Sequence, residues 1–474
     1  MSPQRSSCPR VSKSKSMVRS AAGLPVLRPG AAGIDVHAAE HWVCVPAGSV
    51  PAAGAAAGPA DNVRAFGACT ADLEQLADWL SQCGVTSVAM ESTGIYWVPL
   101  FELLERRGFA VFLVDPRQTR QVAGRPKTDV LDCQWIQRLH ACGLLAAAFR
   151  PSDAVCVLRG YLRQRQTLIA DAGRQVQHLQ KALEQMNVKL TEVVSDIVGL
   201  TGMLILKAIA RGVRDPHLLA KYRHANCHAT EAQIAAALHG SWRAEQLFAL
   251  KQALKLYEQY QRLLAECDAQ IERCLKTFAD QSGGEVLEPK PGRRRGRRPN
   301  DLRFDARGLL FAMSGVDLTA IEGIDAATAL VILSEVGPDV SRFATAKHFV
   351  SWLGLCPQHQ GSAGRIKSRR LRGGANRTAR ALRMAGQGCH RAQHALGAFY
   401  RRIQARCGGP KAVVATARKI AERVYRLLRY GQAYARQGQA DYEAAYRRKL
   451  TKGLARKAAA LGYRLVPEAE PTTP

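Results

Sequence analysis

The sequence contains no Cys-x-x-Cys pair, although thirteen cysteines are scattered along its 474 residues. Zinc sites and disulfide frameworks place cysteines at short, repeated spacings, and no such spacing occurs here. We therefore interpret the cysteines as reduced, buried thiols of a cytoplasmic protein. The sequence also lacks the run of about 18 apolar residues that a membrane-spanning helix requires. Both absences argue against a secreted disulfide scaffold and an integral membrane protein.

Residues 1–30 are basic and rich in serine, and they lack the continuous apolar core of a secretory signal. A mitochondrial transit peptide is compatible with this composition. A disordered tail that is attracted to DNA is the simpler interpretation.

Acidic residues are scarce, since 39 Asp and Glu face 68 Lys and Arg, for a net charge of +29. A surplus of this size repels itself unless a polyanion is nearby. Nucleic acid is the first candidate for that polyanion, and an anionic membrane surface is the second. The length is sufficient for two or three domains, each with its own core.

Short apolar runs alternate with helical patterns between residues 31 and 150. One run ends at Asp35, another ends at Glu91, and a helix is predicted to begin after Thr128, its expected N-cap. Strands alternating with helices predict an α/β domain with a largely parallel core sheet and an N-terminal hairpin.

Four carboxylates of this domain form a candidate metal site. The ends of parallel strands share one edge of a sheet, which places Asp35 near Glu91. Asp129 and Asp132 are three apart at a helix start and project from one face. Their repulsion is relieved by divalent cations, and hard oxygen ligands favour Mg²⁺ or Mn²⁺. Two such ions about 3.5–4 Å apart can activate a nucleophile and stabilise the leaving oxygen of a phosphodiester.

A simpler interpretation of the same residues is available. An Asp at a strand end often begins a turn, and a negative charge such as Asp129 stabilises the first turn of a helix. Lys127, just before that helix, is either a solvated charge or a phosphate contact.

Heptad spacing replaces the α/β pattern over residues 152–190, within a central helical and coiled-coil region predicted over 151–280. A second long helix is predicted over about 250–280. The two helices could pair antiparallel within one chain or between chains, and the sequence leaves both arrangements open. The two heptad registers of the first helix consist of Leu162, Ile169, Val176 and Leu183, and of Leu158, Arg165, Ala172, Leu179 and Met186.

Residues 281–302 are predicted to be a basic linker, with five Arg between positions 293 and 298. A mostly helical domain is predicted over 303–450, followed by a tail over 451–474.

The C-terminal domain has no acidic residue between Asp339 and Glu422, where seventeen Lys or Arg occur. Solvated surfaces normally mix charges of both signs, so this span indicates contact with a phosphate backbone. The candidate nucleic-acid contacts in its densest part are Arg365, Lys367, Arg369, Arg370, Arg372, Arg377, Arg380 and Arg383.

Two further features of this domain suggest chemistry with phosphates. The segment LTAIEGIDAATALVILSEVG is similar to a helix-hairpin-helix, with Gly323 in the turn, although a plain helical hairpin fits nearly as well. Ser362 lies in a short Gly-rich loop beside the basic residues. Such a serine is usually a turn residue, but neighbouring Arg could stabilise a phosphoryl transition state if it were a nucleophile.

The motifs GIDVH, MESTGIYW, VDPRQTRQVAGRPKTDVLDCQWI and SRFATAKHFVSWLGLCP, followed by GSAG and GGANRTARALR, occur in this order. The series resembles the transposases of the insertion sequence 110/116/902 group. The resemblance covers about 31–150 and 303–430, and it is specific because the motif series is long and ordered.

The resemblance implies an N-terminal RNase H-like fold of the RuvC type, with an Asp-Glu-Asp-Asp quartet at Asp35, Glu91, Asp129 and Asp132. It also implies a C-terminal serine that attacks DNA to form a 5′-phosphoserine link. The matching position is Ser362, in Gly-Ser-Ala-Gly where the family usually has Ser-Ser-Gly or Ser-Gly; Ser368 is the alternative. Members of the family work as homo-oligomers with a structured RNA that pairs to target and donor DNA.

The sequence therefore predicts a bacterial, nucleoid-associated transposase that recombines DNA at specific sites. Two alternatives remain. One is a RuvC-like, structure-specific nuclease of the Holliday-junction resolvase type, which would use water as its nucleophile. The other is a non-catalytic nucleic-acid-binding protein derived from a transposase, against which the presence of all four carboxylates argues.

Overall fold

The computed structural model describes residues 24–51, 62–92, 94–119, 128–288, 298–357, 360–362, 365–368, 370–371 and 376–466. The chain forms two compact units, residues 1–150 and 151–474. Lys127, Arg369, Arg372 and most of the predicted N-terminal tail lie outside the described residues.

The first unit is built on a mixed five-stranded sheet with the strand order β3-β2-β1-β4-β5. Its strands are β1 (Ala31–Val36), β2 (Glu40–Cys44), β3 (Val63–Gly67), β4 (Ser87–Glu91) and β5 (Ala110–Val114). Its helices are α1 (Thr70–Gln82), α2 (Trp97–Arg106), α3 (Pro116–Thr119) and α4 (Asp129–Ala141).

The sheet combines two kinds of pairing. β1 to β3 form an antiparallel meander, whereas β1, β4 and β5 are parallel. β1 is buried along its whole length, as expected for a central strand covered on both faces. The predicted α/β organisation with an N-terminal hairpin is confirmed.

A glycine in the central strand allows α4 to lie directly on the sheet. A Cβ atom added at Gly33 would lie 2.2 Å from the backbone nitrogen of Gln137 and 2.5 Å from the carbonyl oxygen of Cys133. These partners are backbone atoms of a helix, which cannot move aside as a flexible side chain can. Gly33 therefore sets how closely α4 approaches β1.

The second unit is mostly helical, in agreement with the sequence pattern. Its first helices are α5 (Asp153–Gln185), α6 (Leu190–Val193), α7 (Leu200–Arg211), α8 (Pro216–Ala220), α9 (Glu231–Ala237) and α10 (Ala244–Leu275). Then come α11 (Ala306–Ser314), α12 (Ala326–Val336), α13 (Ala346–Trp352), α14 (Arg377–Gly388), α15 (Ala395–Cys407) and α16 (Gly409–Ala460). A two-stranded antiparallel hairpin, β6 (Gln360–Ser362) and β7 (Arg365–Ser368), lies between α13 and α14.

The two long helices pack against each other within one chain. Tyr161 accepts a hydrogen bond from Gln270, whereas Leu179, farther along α5, shares a core cluster with Leu250, near the start of α10. Residues later in α5 therefore lie opposite residues earlier in α10, so the two helices are antiparallel. The arrangement that the sequence left open is thus intramolecular, and the heptad seam is covered without a second chain.

A buried ion pair interrupts this apolar seam. Arg165 occupies the same heptad register as Leu158, and its side chain is only 6% exposed. Its Nε donates to Asp268 Oδ1 at 2.6 Å, and Nη2 donates to the carbonyl oxygen of Asn300 at 2.9 Å. Arg165 therefore joins both long helices to Asn300, near the end of the predicted basic linker (residues 281–302).

The last helix extends beyond residue 450, where the sequence pattern predicted a tail. α16 is interrupted at Gly431, whose φ of 81° only glycine adopts readily, and it then continues to Ala460. Across the residues that the structure describes, every helix is too short or too polar to cross a membrane.

Candidate functional site

The end of β1 holds the centre of the candidate site. His37 Nε2 lies 3.2 Å from Asp35 Oδ2 and 3.3 Å from Asp129 Oδ1. One potential ligand atom from each of these three residues lies within 4.8 Å of the other two. The structure therefore brings together the first and third predicted carboxylates, which are 94 positions apart in the chain, around an imidazole that sequence reasoning missed.

The Asp35 carboxylate is held in an unfavourable place for a charge. Its side chain is 9% exposed, and burial raises its pKa above the ordinary range. The nearby His37 opposes that rise, whereas the negative charges of Glu91 and Asp129 add to it. An excess of negative charge in a poorly solvated place is the electrostatic condition that favours a bound cation.

Glu91 reaches the same edge from the neighbouring strand. Ile34 pairs with Met90 in parallel register, so Asp35 and Glu91 each follow this pair by one residue. Thr119 donates a hydrogen bond to Glu91 Oε1. The strand register therefore sets the position of Glu91, and the hydrogen bond from α3 further fixes its carboxylate.

α4 supplies the other two carboxylates from its first turn. Thr128 is the N-cap, as predicted, and its hydroxyl accepts from the backbone nitrogen of Leu131 at 3.2 Å. Asp129 is half exposed and contacts His37. Asp132 is half-buried one turn along the helix. The N-cap fixes where α4 begins, and so it fixes the positions of Asp129 and Asp132.

The donor set fits a divalent cation. Carboxylate oxygens suit Mg²⁺ and Mn²⁺, and an imidazole nitrogen is an additional donor that hard-ion sites accept less often. His37 follows the end of β1 and comes two residues after Asp35, and its imidazole turns back to within 3.2 Å of the Asp35 carboxylate. That spacing in GIDVH is the sequence signal that could have revealed the histidine.

The β6–β7 hairpin carries the predicted serine. Ser362 is the last residue of β6 and pairs with Arg365, the first residue of β7. The structure describes the backbone of Ser362, Arg365 and Lys367, and not their side chains. It therefore places the serine at the hairpin's turn, next to the basic strand.

Four predicted nucleic-acid contacts lie among the described side chains. Arg370, Arg377 and Arg380 are exposed and Arg383 is half-buried. Arg377 also donates to Gln166 of α5, and its Nε lies 4.0 Å from Glu335 Oε1. α14 therefore presents a basic surface that starts beside α5.

The segment that is similar to a helix-hairpin-helix folds as a short 3-10 helix, a turn and α12. Gly323 has a φ of +87°, as a tight turn requires. Asp325 caps α12 by accepting from the backbone nitrogen of Thr328 at 2.7 Å. A carboxylate thus occupies the helix start at which a phosphate was expected.

Two protein-family models match segments of this chain. Residues 32–188 match the DEDD-type IS110 model, described as Transposase, and residues 317–401 match the model of the IS116/IS110/IS902 transposase family. The two segments together span just over half of the chain. The chain belongs to the IS110/IS116/IS902 transposase family, as its motif series indicated. No curated protein matches it.

Proposed function

We propose that this transposase recombines DNA through two groups, the carboxylates of the first unit and Ser362 of the second. The observation that supports the proposal best is the convergence of Asp35, His37 and Asp129, with Glu91 on the adjoining strand. The family's quartet maps onto the acidic members of this group and onto Asp132.

The topology supports an RNase H-like, RuvC-type domain. An antiparallel meander joined to parallel strands in the order β3-β2-β1-β4-β5 is the arrangement that the resemblance implies. It places the ends of β1 and β4 side by side at one edge of the sheet. The proposed site occupies that edge.

Asp35, Glu91, Asp129 and Asp132 would hold Mg²⁺ or Mn²⁺, with His37 as an added donor. When bound, the ion supplies Lewis-acid stabilisation of charge on the phosphoryl oxygens. Ser362 Oγ forms a bond to phosphorus as the bond to the 3′ oxygen breaks, and the serine proton ends on the released 3′-hydroxyl. A 3′-hydroxyl from the partner strand then reverses this step and frees the serine.

We also propose the family's partners for this chain: a structured guide RNA that pairs with target and donor DNA, and a homo-oligomeric assembly. The net charge of +29 supports a large polyanionic partner. The intramolecular pairing of α5 and α10 means that the heptads do not themselves argue for an oligomer, so that part rests on the family resemblance.

The serine role is tested by trapping the covalent intermediate. Wild-type protein incubated with its recombination-site DNA and RNA should form an adduct that survives a denaturing gel. Ser362→Ala should lower its yield at least about 100-fold, because the attacking oxygen is removed. Ser368→Ala, on the other strand of the same hairpin, is the matched control and should retain the adduct.

The reverse pattern, with the adduct lost only in Ser368→Ala, would move the nucleophile to that residue. Cleavage without any adduct would instead identify a nuclease that uses water, of the resolvase type.

The metal site is tested by the thermal stability of Asp35→Asn. Because the folded-state pKa of Asp35 is raised, the metal-free wild type should lose stability as pH rises from the unfolded pKa through the folded one. Asp35→Asn removes that loss and should melt higher without metal at neutral pH. Saturating Mn²⁺ at 100 times its Kd should stabilise the wild type by about 2.7 kcal/mol and the variant far less.

Asp78→Asn is the control for that experiment. Asp78 is an exposed residue of α1 that forms an ion pair with Arg107. Its melting temperature and Mn²⁺ response should follow the wild type. An equal Mn²⁺ response in Asp35→Asn and wild type would reject the site.

A further inference from the structure

The last part of α16 has the features of a binding element rather than of a folded core. Its described side chains at 447–448 and 451–460 are exposed, apart from the half-buried Ala458. We call residues 447–460 the basic C-terminal helix, and none of its described side chains is buried in a core. A helix that packs against so little is marginal in water by itself.

The charge of the segment is of one sign. Seven Lys or Arg and no Asp or Glu occur between residues 444 and 467. Lys452 and Arg456 are four residues apart and so lie on one face, one helical turn from each other. Exposed helices that are stable alone normally mix both signs, so that oppositely charged neighbours support the helix.

We propose that the basic C-terminal helix binds in the major groove of duplex DNA. The major groove of B-form DNA is about 12 Å wide and admits an α-helix, whereas the major groove of A-form RNA is too deep and narrow for side chains to read. Residues 451–460 are exposed apart from Ala458, so this part of the helix can enter such a groove without first leaving a packed core. This role depends on DNA binding and not on the catalytic roles proposed above.

A second feature of the segment fits ordering on the DNA. Gly453 lies inside the helix, and a Cβ atom there would meet nothing within 4 Å. An interior glycine weakens a helix because it adds backbone freedom to the unbound chain. Affinity for DNA should therefore rise when this freedom is removed, since less ordering remains to be paid on binding.

The exposed Leu454 and Leu461 suggest two other occupants, a second copy of the chain or a lipid surface. Either occupant would contact these apolar side chains rather than the basic ones. The absence of acidic residues over 24 positions favours the phosphate backbone over either one.

The first experiment measures the binding of full-length protein to duplex DNA as a function of salt. Replacing Lys452, Arg456 and Lys457 together by Gln should weaken binding at least tenfold at moderate salt. It should also make the slope of log K against log salt shallower by about 2–3, because each lost phosphate contact contributes about 0.9. The matched control replaces two exposed arginines of α10 and the lysine that follows it, Arg262, Arg273 and Lys276, where both charge signs occur, and its slope should be unchanged.

The second experiment separates helix from charge. Ala455→Pro keeps every charge and breaks the helix, and it should weaken duplex binding about as much as the triple variant. Ala455→Gln should bind like the wild type. Gly453→Ala should bind up to about fivefold tighter, the effect expected from roughly 1 kcal/mol of helix propensity.

Three results would overturn the proposal. One is normal duplex binding by Ala455→Pro, which would mean that the segment acts only as a charged tail. Another is a loss confined to an RNA hairpin or to vesicles containing 30% phosphatidylserine. The third is a smaller assembly in light scattering for Ala455→Pro than for the wild type, which would assign the helix to an interface between copies.

Discussion

Recombination should fall about 1,000-fold or more when either Glu91 or Asp129 is replaced by alanine, while DNA binding stays within about twofold of wild type. Losing a group that stabilises transition-state charge costs 100- to 1,000-fold in comparable sites, and these carboxylates would also hold the ion. DNA affinity comes mainly from Lys and Arg contacts with phosphates, which neither change removes. Strand exchange between donor and target plasmids measures the loss of recombination, and the DNA dissociation constant measures the retained binding.

Asp115→Ala is the matched control for that experiment. Asp115 also follows a parallel strand, β5, but it accepts a hydrogen bond from the backbone nitrogen of Arg117 at 2.9 Å and lies outside the predicted quartet. Its replacement should leave recombination within about threefold of wild type. Equal losses in Asp115→Ala and Glu91→Ala would mean that strand-end acids at this edge serve the fold. Normal recombination in Asp129→Ala would remove that residue from the site.

Asp268→Ala should destabilise the pairing of α5 and α10 by about 3–5 kcal/mol. The change leaves the Arg165 guanidinium buried between the helices without its carboxylate, and an unpaired buried charge is far costlier than a lost surface contact. Replacing both partners, in Arg165→Met/Asp268→Leu, removes the charge together with its counterion. That double variant should be close to wild type or more stable, because apolar side chains of similar size suit the seam.

Hydrogen exchange of the backbone amides in α5 and α10 measures this effect locally, which suits a chain with two compact units. Protection should fall strongly in Asp268→Ala and recover in the double variant. Glu266→Ala, two residues away on the exposed side of α10, is the control and should change protection little. A double variant as unprotected as Asp268→Ala would show that the ion pair is itself required for the seam.

The strand-end acids could be predicted because local rules determine where they lie. The apolar runs before Asp35 and Glu91 form strands, and Thr128 caps its helix through a bond to a residue three positions away. His37 was missed because a lone histidine after a strand is common, and only the fold places Asp129 opposite it.

Partners far apart in sequence were beyond pattern analysis. The heptads predicted Arg165 at the seam, yet nothing local to it indicates Asp268, 103 residues later. The same limit applied to the pairing of α5 with α10, since an apolar stripe specifies that a face is covered and not which helix covers it. Charge counting predicted a nucleic-acid partner and not the residues that bind it. The pattern along the chain ended the last domain at 450 and assigned 451–474 to a tail, although α16 continues to Ala460.

Gly33 gives the proposed chemistry a weak point far from any reacting atom. Even an alanine there would push α4 off β1, and with it Asp129 away from Asp35, while the basic second unit would be untouched. One nucleotide change in that codon would then yield a full-length protein that still occupies recombination sites but cannot exchange strands. In a genome that holds several copies of the element, such a product would compete with intact transposase for recombination sites. It would thereby reduce transposition of the other copies.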